Sequence, residues 1–487
     1  VENLISGKTI MTIAPPLRKY QKRGISFLKK NNGGALFLKP GAGKTAITLN
    51  YLKTWYKNNP GEKIILIAPL NVVYDAWEEE PKIWFPKLKV RNLHRDGYAD
   101  GYDLYLINPH KFVNCLSEKW IRNFLGLIVD ESTMFKTFNS KRTEAYHRYI
   151  DVIKPSMGII LTGTPITKNL LDIYCPYYLI DRKRLGPDFF YYRGKFFEPT
   201  PDGSAWLPRE GTQDEIVRRL SYKSFILSEA DEKEIGYPKV LVNNIYFKLS
   251  PKVWRKYKTL ESELIVDLET RFLDRSKHKG KIYTGAVLYG YCTQFTGGNF
   301  YEPIFKDVPD KKNPGEMVLK KIGNKTNFIH NERLNVLKEL FEVLNGSPLF
   351  VLYHYESDLS LFKKLKIKHT AIIKGGMKPT EVKAILKKWN TGKLAAIFAQ
   401  ISTVSHGLNL QFGGSHICYF TLPDNYEFYY QSLHRLARPG QKAKQVTIHR
   451  IICRYTVDEI KRLQILNRKI FTASDFNKRL RALSKTK

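Results

Sequence analysis

Cysteine is scarce and scattered: the 487 residues hold five, Cys115, Cys175, Cys292, Cys418 and Cys453, and no two form a C-x-x-C pair. That spacing supports neither a zinc site nor a disulfide framework, so a reducing compartment is expected. Long apolar runs are missing as well. Those present, such as Ile64-Ile65-Leu66-Ile67-Ala68, are strand-sized, whereas a spanning helix needs about 20 apolar residues. The opening residues Val1 to Lys8 have no apolar core of the kind an export signal requires. There is no low-complexity tract and no repeat of fixed period, which excludes solenoid and disordered-scaffold classes. Acidic residues are in the minority, Asp+Glu 46 against Lys+Arg 80, for a formal net charge of +34. An excess that size repels itself and attracts polyanions. Nucleic acid is therefore the expected partner, unless the charge is only a solubility device or a coding bias toward lysine.

What is present is an ordinary globular composition, 43% hydrophobic and 26% charged, in a chain long enough for about two to four domains. Two stretches alternate short apolar strands with helical segments, the pattern of a parallel sheet covered by helices. In the first, strands are expected at 35–38, 64–68, 104–107, 127–130 and 159–161. In the second they are expected at 349–353, 371–373, 395–399, 417–420 and 446–451. Between them, residues 176–220 are aromatic and punctuated by Pro and Gly, as in an insertion. Residues 251–281 suggest a long Lys/Arg-rich helix, and residues 297–326 a loop or mobile arm. The boundaries expected are a first lobe over 1–225, with the insertion at 176–220, and a second over 226–487, with a helical, basic insertion at 251–330.

Several strands end at a polar or glycine-rich cluster, where open α/β sheets bind ligands. After Ala35 to Leu38 comes Lys39-Pro40-Gly41-Ala42-Gly43-Lys44-Thr45, followed by a helical run from Ala46 to Trp55. A strand, a glycine turn and a helix opening on Lys-Thr can cradle a triphosphate. Gly41 and Gly43 let backbone N–H groups approach its oxygens, Lys44 neutralises the β/γ phosphates, and Thr45 ligates Mg²⁺. Leu38 stands where the first glycine of the full G-x-x-x-x-G-K-[ST] pattern belongs, so the motif taken alone also fits a turn with a solvated lysine. The strand Leu127-Ile128-Val129 ends in Asp130-Glu131, and strand propensity does not call for adjacent carboxylates there. A Mg-ATP site does, with Asp130 holding the metal shell and Glu131 orienting and deprotonating water. The next strand ends in Leu161-Thr162-Gly163-Thr164-Pro165, whose hydroxyls are placed to sense a γ-phosphate.

This order of loop, acid pair and Thr-Gly-Thr-Pro resembles superfamily-two motors. Leu17-Arg18-Lys19-Tyr20-Gln21-Lys22-Arg23-Gly24-Ile25 is similar to their adenine-sensing motif, with Gln21 at the base-reading position. Ala68-Pro69-Leu70 followed by Trp77 resembles their strand-contacting motif. Ser140-Lys141-Arg142 and Thr164-Pro165-Ile166-Thr167-Lys168-Asn169-Leu170 resemble the Swi/Snf branch in particular. Distally, Ser405-His406-Gly407-Leu408-Asn409-Leu410-Gln411 is similar to motif V of that branch, and Gln431-Ser432-Leu433-His434-Arg435-Leu436-Ala437-Arg438-Pro439-Gly440-Gln441 to motif VI. The variants at Gly407 to Gln411 and Pro439 to Gln441 look most like compact bacterial and bacteriophage members. His434, Ala437 and Asp424 depart from the family pattern at positions tied to coupling of hydrolysis and movement.

The resemblance implies an α/β fold of two RecA-like parallel-sheet lobes with helical insertions. It implies an ATP- and Mg²⁺-dependent motor on double-stranded or branched DNA, working in the cytoplasm of a bacterial or phage-infected cell. Catalysis would fall to Lys44, Asp130, Glu131, Arg435 and Arg438, nucleotide binding also to Gln21, Gly41, Gly43, Thr45, Gly407 and Gln431, and Mg²⁺ to Thr45 and Asp130. Gln431, Arg435 and Arg438 would share one helix face before Pro439-Gly440 stops the helix. Nucleic acid would be contacted by Pro69, Leu70, Thr164, Ser405 and Asn409, with Arg271, Arg275 and Lys279 as a basic stripe of helix 251–281. Translocation without strand separation is the leading expectation. A strand-separating or branch-migrating enzyme, an RNA motor, and a non-catalytic nucleic-acid binder with a relic ATP site stay open.

Overall fold

The structure, a computed structural model, describes residues 14–167, 169–201, 203, 205–273, 285–309, 317–404, 408–423 and 426–466. The chain forms two compact units that meet in sequence between Tyr237 and Pro238. The first therefore runs past the boundary expected at 225. The helix Glu229–Ile235 is fastened to it, because Asp231 pairs with Arg23 at 2.6 Å and Glu232 with Lys39 at 2.9 Å.

In the first unit the strands are β1 (Gly33–Phe37), β2 (Ile64–Ile67), β3 (Val90–Asn92), β4 (Leu104–Ile107), β5 (Gly126–Asp130), β6 (Met157–Thr162), the small hairpin β7 (Phe197–Pro199) and β8 (Trp206–Pro208), and β9 (Ser224–Phe225). All but the hairpin form one parallel sheet in the order β3-β4-β2-β5-β6-β1-β9. Strands β1, β2, β4 and β5 bury every residue, as Val/Ile/Leu runs do when helices cover both faces of a sheet. The five expected strands are present. The added edge strands β3 and β9 have three and two residues, too few to show a period. Residues 176–220 contribute helices Phe189–Phe196 and Thr212–Leu220, and Tyr177, Tyr192, Phe197 and Leu220 share a core with β1, β5 and β6.

The second unit holds β10 (Lys239–Phe247), β11 (Asn299–Pro309), β12 (Met317–Phe328), β13 (Leu349–Tyr353), β14 (Thr370–Ile373), β15 (Ala396–Gln400), β16 (His416–Tyr419) and β17 (Gln445–Cys453). Its parallel sheet runs β10-β17-β16-β13-β15-β14. Here too the five expected strands occur. Strand β10 was not expected, because Asn243-Asn244 interrupts its apolar run; nine residue pairs with β17 hold it at the edge. Where a loop or mobile arm was expected at 297–326, of which 310–316 lie outside the described residues, the described residues form the antiparallel pair β11–β12. Its Gly, Pro and Lys content hid the pairing, since a two-stranded ribbon is all edge and tolerates Pro303 and Pro309. The expected long helix is Pro251–Leu273, and the remainder of the 251–281 segment lies outside the described residues.

Arg333, on helix Glu332–Val343, ties this unit together from a fully buried position. Its guanidinium donates to the carbonyls of Thr296 at 3.0 Å and Ile451 at 3.1 Å, and also to the Phe420 carbonyl and the Asp458 carboxylate. Asp458 in turn accepts from Cys453 N–H at 2.9 Å. A buried charge pair with every donor satisfied holds geometry, but removing one partner strands the other. Replacing Arg333 by Leu should lower unfolding free energy in urea titration by about 3–5 kcal/mol, and Arg333→Leu/Asp458→Leu should recover part of it. A single-variant loss within ~0.5 kcal/mol, ordinary for a surface change, would refute this role.

Candidate nucleotide-binding site

Neighbouring strands β1, β6 and β5 point their carboxyl ends the same way, so three segments distant in sequence lie side by side. The loop after β1 enters helix Lys44–Asn58 through Gly41 and Gly43, with φ of 82° and 75°. At Gly43 a Cβ would also stand 2.4 Å from Nε2 of Gln21, so glycine alone fits between the loop and the adenine-motif glutamine. Gln21 is buried, and its Oε1 accepts from Arg18 N–H at 2.9 Å in a capping box that opens helix Lys19–Asn31. The Tyr20 hydroxyl fixes the loop from below by donating to the Ala42 carbonyl at 3.0 Å. Lys44 Nζ donates to the Leu38 carbonyl at 2.9 Å, and Thr45 is buried at the helix start.

Asp130 ends β5 at 8% exposure. Its Oδ2 accepts from Trp77 Nε1 at 2.9 Å, and its Oδ1 from Glu131 N–H, also at 2.9 Å. Burial pushes the Asp130 carboxyl above the ordinary aspartate range, against the opposing pull of Lys44 and of the two donors. Glu131 has a left-handed backbone, φ 55°, unusual for a residue with a side chain. Its Oε1 accepts from the hydroxyls of Thr162 at 2.9 Å and Thr133 at 3.2 Å, and Thr162 Oγ1 accepts from Thr164 N–H at 3.0 Å. Glu131 is thus wired to the Thr-Gly-Thr turn after β6. Among the described residues no cluster of three or more His, Cys, Asp and Glu could hold a metal. The hydroxyl of Thr45 and the carboxylate of Asp130 are hard oxygen donors of the type Mg²⁺ takes, alongside phosphates and water.

Of the other expected nucleotide residues, Gln431, Arg435 and Arg438 lie in the second unit and Gly407 lies outside the described residues. Helix Tyr426–Leu433 stops before the two arginines, so the expectation of one helix face from Gln431 to Arg438 is corrected. Tight i+3 bonds replace it, Arg435 N–H to Ser432 and Leu436 N–H to Leu433, and Leu410 N–H takes the Arg435 carbonyl. Arg435 is buried in that turn, while half-buried Arg438 donates to Asn409 Oδ1, which joins motifs V and VI. Gln431 is buried with its Nε2 toward Glu427 at 3.4 Å.

The expected nucleic-acid residues divide three ways. Pro69 and Leu70 are half-buried at the start of a short turn after β2, and Asn409 is exposed. Thr164 is buried at 1% exposure and in this conformation offers no surface to a strand. Ser405, Arg275 and Lys279 lie outside the described residues, and of Arg271 only the backbone, in helix Pro251–Leu273, is described. Trp77, expected as part of the strand-contacting motif, is fully buried, and its bond to Asp130 was not foreseen from the sequence. The signal available was that a buried indole N–H seeks an acceptor.

Two parallel-sheet units, one with a glycine loop, Lys44 and a strand-end acid pair, define a RecA-like protein of the superfamily-two helicase class. Within that class the chain belongs to the SNF2-related domain family, which matches residues 20–290, and the helicase conserved C-terminal domain matches residues 332–440. Protein p41 of Acyrthosiphon pisum secondary endosymbiont phage 1 is 27% identical over 475 residues, 91% of this chain and 94% of that protein. An uncharacterized ATP-dependent helicase of Mycoplasma pneumoniae is 25% identical over 463 residues, and the chain spans 40% of its length. Among solved structures, the Sulfolobus solfataricus SWI2/SNF2 ATPase core in complex with dsDNA is 20% identical, with 97% of this chain and 96% of that one covered and a TM-score of 0.43.

The raised Asp130 carboxyl has a stability consequence. Its contribution is present at acid pH and is lost as pH rises past the ordinary aspartate range toward the raised value. Without nucleotide or divalent cation, the melting temperature of Asp130→Asn minus that of wild type should therefore increase from pH 4 to pH 8. A difference that shrinks over that range would contradict the assignment.

Proposed function

We propose that the chain hydrolyses Mg-ATP and couples the cycle to translocation on double-stranded DNA. The observation that carries the reading is the convergence of Lys44, Asp130, Glu131 and Thr162 at adjoining strand ends of one sheet. In this reading the loop N–H groups and Lys44 hold the β/γ phosphates, and Gln21 reads the adenine beside Gly43. Thr45 and Asp130 hold Mg²⁺, which when bound offsets phosphate charge. Glu131, aimed by Thr162 and Thr133, orients water and takes its proton. Arg435 and Arg438 come from the second unit to meet charge developing on the γ-phosphate. The hydrolysis cycle alternates the chain's grip on the DNA backbone.

Family membership supports the motor reading, as does a basic surface absent from the sequence expectations. Around β14 and helix Pro379–Asn390, Lys366, Lys368, Lys374, Lys378, Lys387 and Lys388 are all exposed. Such a face suits phosphate contact with a steep salt dependence. No described helix is long and apolar enough to cross a membrane, and the workplace proposed is a bacterial or phage-infected cytoplasm. The name of the mycoplasma relative favours strand separation as the second reading. Displacement of a triplex strand without opening of a fork would decide for translocation.

ATP turnover should rise with duplex DNA and fall to background in Lys44→Ala and Glu131→Gln. Arg435→Ala should lose roughly 10³–10⁵ in rate, as arginine fingers do. A steady-state phosphate-release assay with duplex, single-stranded and forked DNA and RNA measures all of these. Turnover indifferent to nucleic acid, or persisting in Glu131→Gln, would end the proposal.

A further inference from the structure

The first unit contains a cavity of about 370 Å³ lined by Val113, Leu116, Ile121, Arg122, Arg148, Tyr149, Val152 and their neighbours Ser117 and Ile153. It lies away from the nucleotide residues. The nucleotide site forms where β5 and β6 end, whereas Ile121 and Arg122 precede the start of β5, and Val152 and Ile153 precede the start of β6. Helix Pro109–Asn114, the turn Lys119–Arg122 and helix Lys141–Ile153 form its walls.

Three observations give this cavity a chemical character. Its lining includes five aliphatic residues, one of which, Val152, is 62% exposed, a cost in water that a covering apolar group would remove. Arg122 and Arg148 are exposed in its lining, and among the described residues neither has an ion pair or side-chain hydrogen bond. The nearby acid Asp151 does not neutralise them, since it accepts from the Tyr178 hydroxyl at 2.8 Å and faces Arg182 at 3.6 Å. Finally, Tyr149 is buried against the cavity and its hydroxyl has no hydrogen-bond partner.

We propose that this cavity is a docking site for an acidic peptide segment of a partner protein. One aliphatic or aromatic side chain of the segment enters the cavity, and flanking carboxylates meet Arg122 and Arg148. The volume, near the low end of ligand pockets at roughly 300–1,000 Å³, accommodates a side chain or two. Arginine forks pair bidentately with carboxylates, which gives the charge recognition direction as well as strength. A DNA backbone would satisfy the arginines but leave Val152 and the other aliphatic lining uncovered, so the cavity favours peptide over polyanion. The site provides a place where a partner is carried by, or regulates, the motor unit without touching its nucleotide.

The test is an anisotropy titration of the full chain against a fluorescein-labelled peptide that alternates Asp/Glu pairs with Leu and Phe. Binding at least tenfold tighter than to the same peptide with Leu and Phe changed to Ser is expected. Arg122→Glu/Arg148→Glu and, separately, Val152→Asp should each weaken it at least tenfold while leaving basal ATP turnover intact. Excess duplex DNA should not displace the peptide. Equal binding of the Ser peptide, displacement by duplex DNA, or undiminished affinity in Val152→Asp would each overturn the proposal. Val152→Asp decides the matter if the double arginine variant fails to fold.

Discussion

Everything in the first unit's chemistry turns on keeping one carboxylate, Asp130, nearly out of water. A buried carboxylate must find donors or lose its charge. Trp77 and the Glu131 N–H provide two, and Lys44 adds opposite charge. These do not offset burial, and the carboxyl stays above its ordinary range. The site therefore holds a group whose charged form further positive charge beside it would stabilise. Sites built for a function commonly give up stability in this way.

The second unit handles buried charge differently. Arg333 is as deeply placed as any residue in the fold, yet its donors reach three carbonyls, a hydroxyl and a carboxylate. Nothing there awaits a ligand. The cluster instead joins the segment that returns from the inserted helices to the ends of β16 and β17, the two strands that flank motif VI in sequence. Asp130 keeps a raised carboxyl despite two donors and the Lys44 charge, whereas every Arg333 donor is met by an acceptor.

Much of the fold was legible from period and punctuation. Ten apolar runs of strand length became ten strands; nine of them lie inside a sheet, where burial on both faces leaves its composition in the sequence, and the tenth, β14, is an edge strand with an apolar Ala371-Ile372-Ile373 run. The other three edge strands leave no such mark: β3 and β9 are too short, and β10 exposes Val240, Leu241 and Val242. The β11–β12 ribbon was hidden for the opposite reason. Its pairing partners are matched by register across the chain, and its prolines and glycines suggest a loop when each half is taken alone.

The site divides along the same line. The glycine loop, the acid pair and the Thr-Gly-Thr turn were readable in the sequence because each is local, a strand end and the residues just after it. Folding decided what depends on neighbours in space. It set Trp77 on Asp130 and Thr162 on Glu131, and it ended the helix at Leu433 so that Arg435 sits in a turn held by Leu410. Local chemistry fixes which groups are offered, since it needs only adjacent residues. Their partners lie dozens of residues away, brought close by strand order, and no spacing along the chain encodes that order.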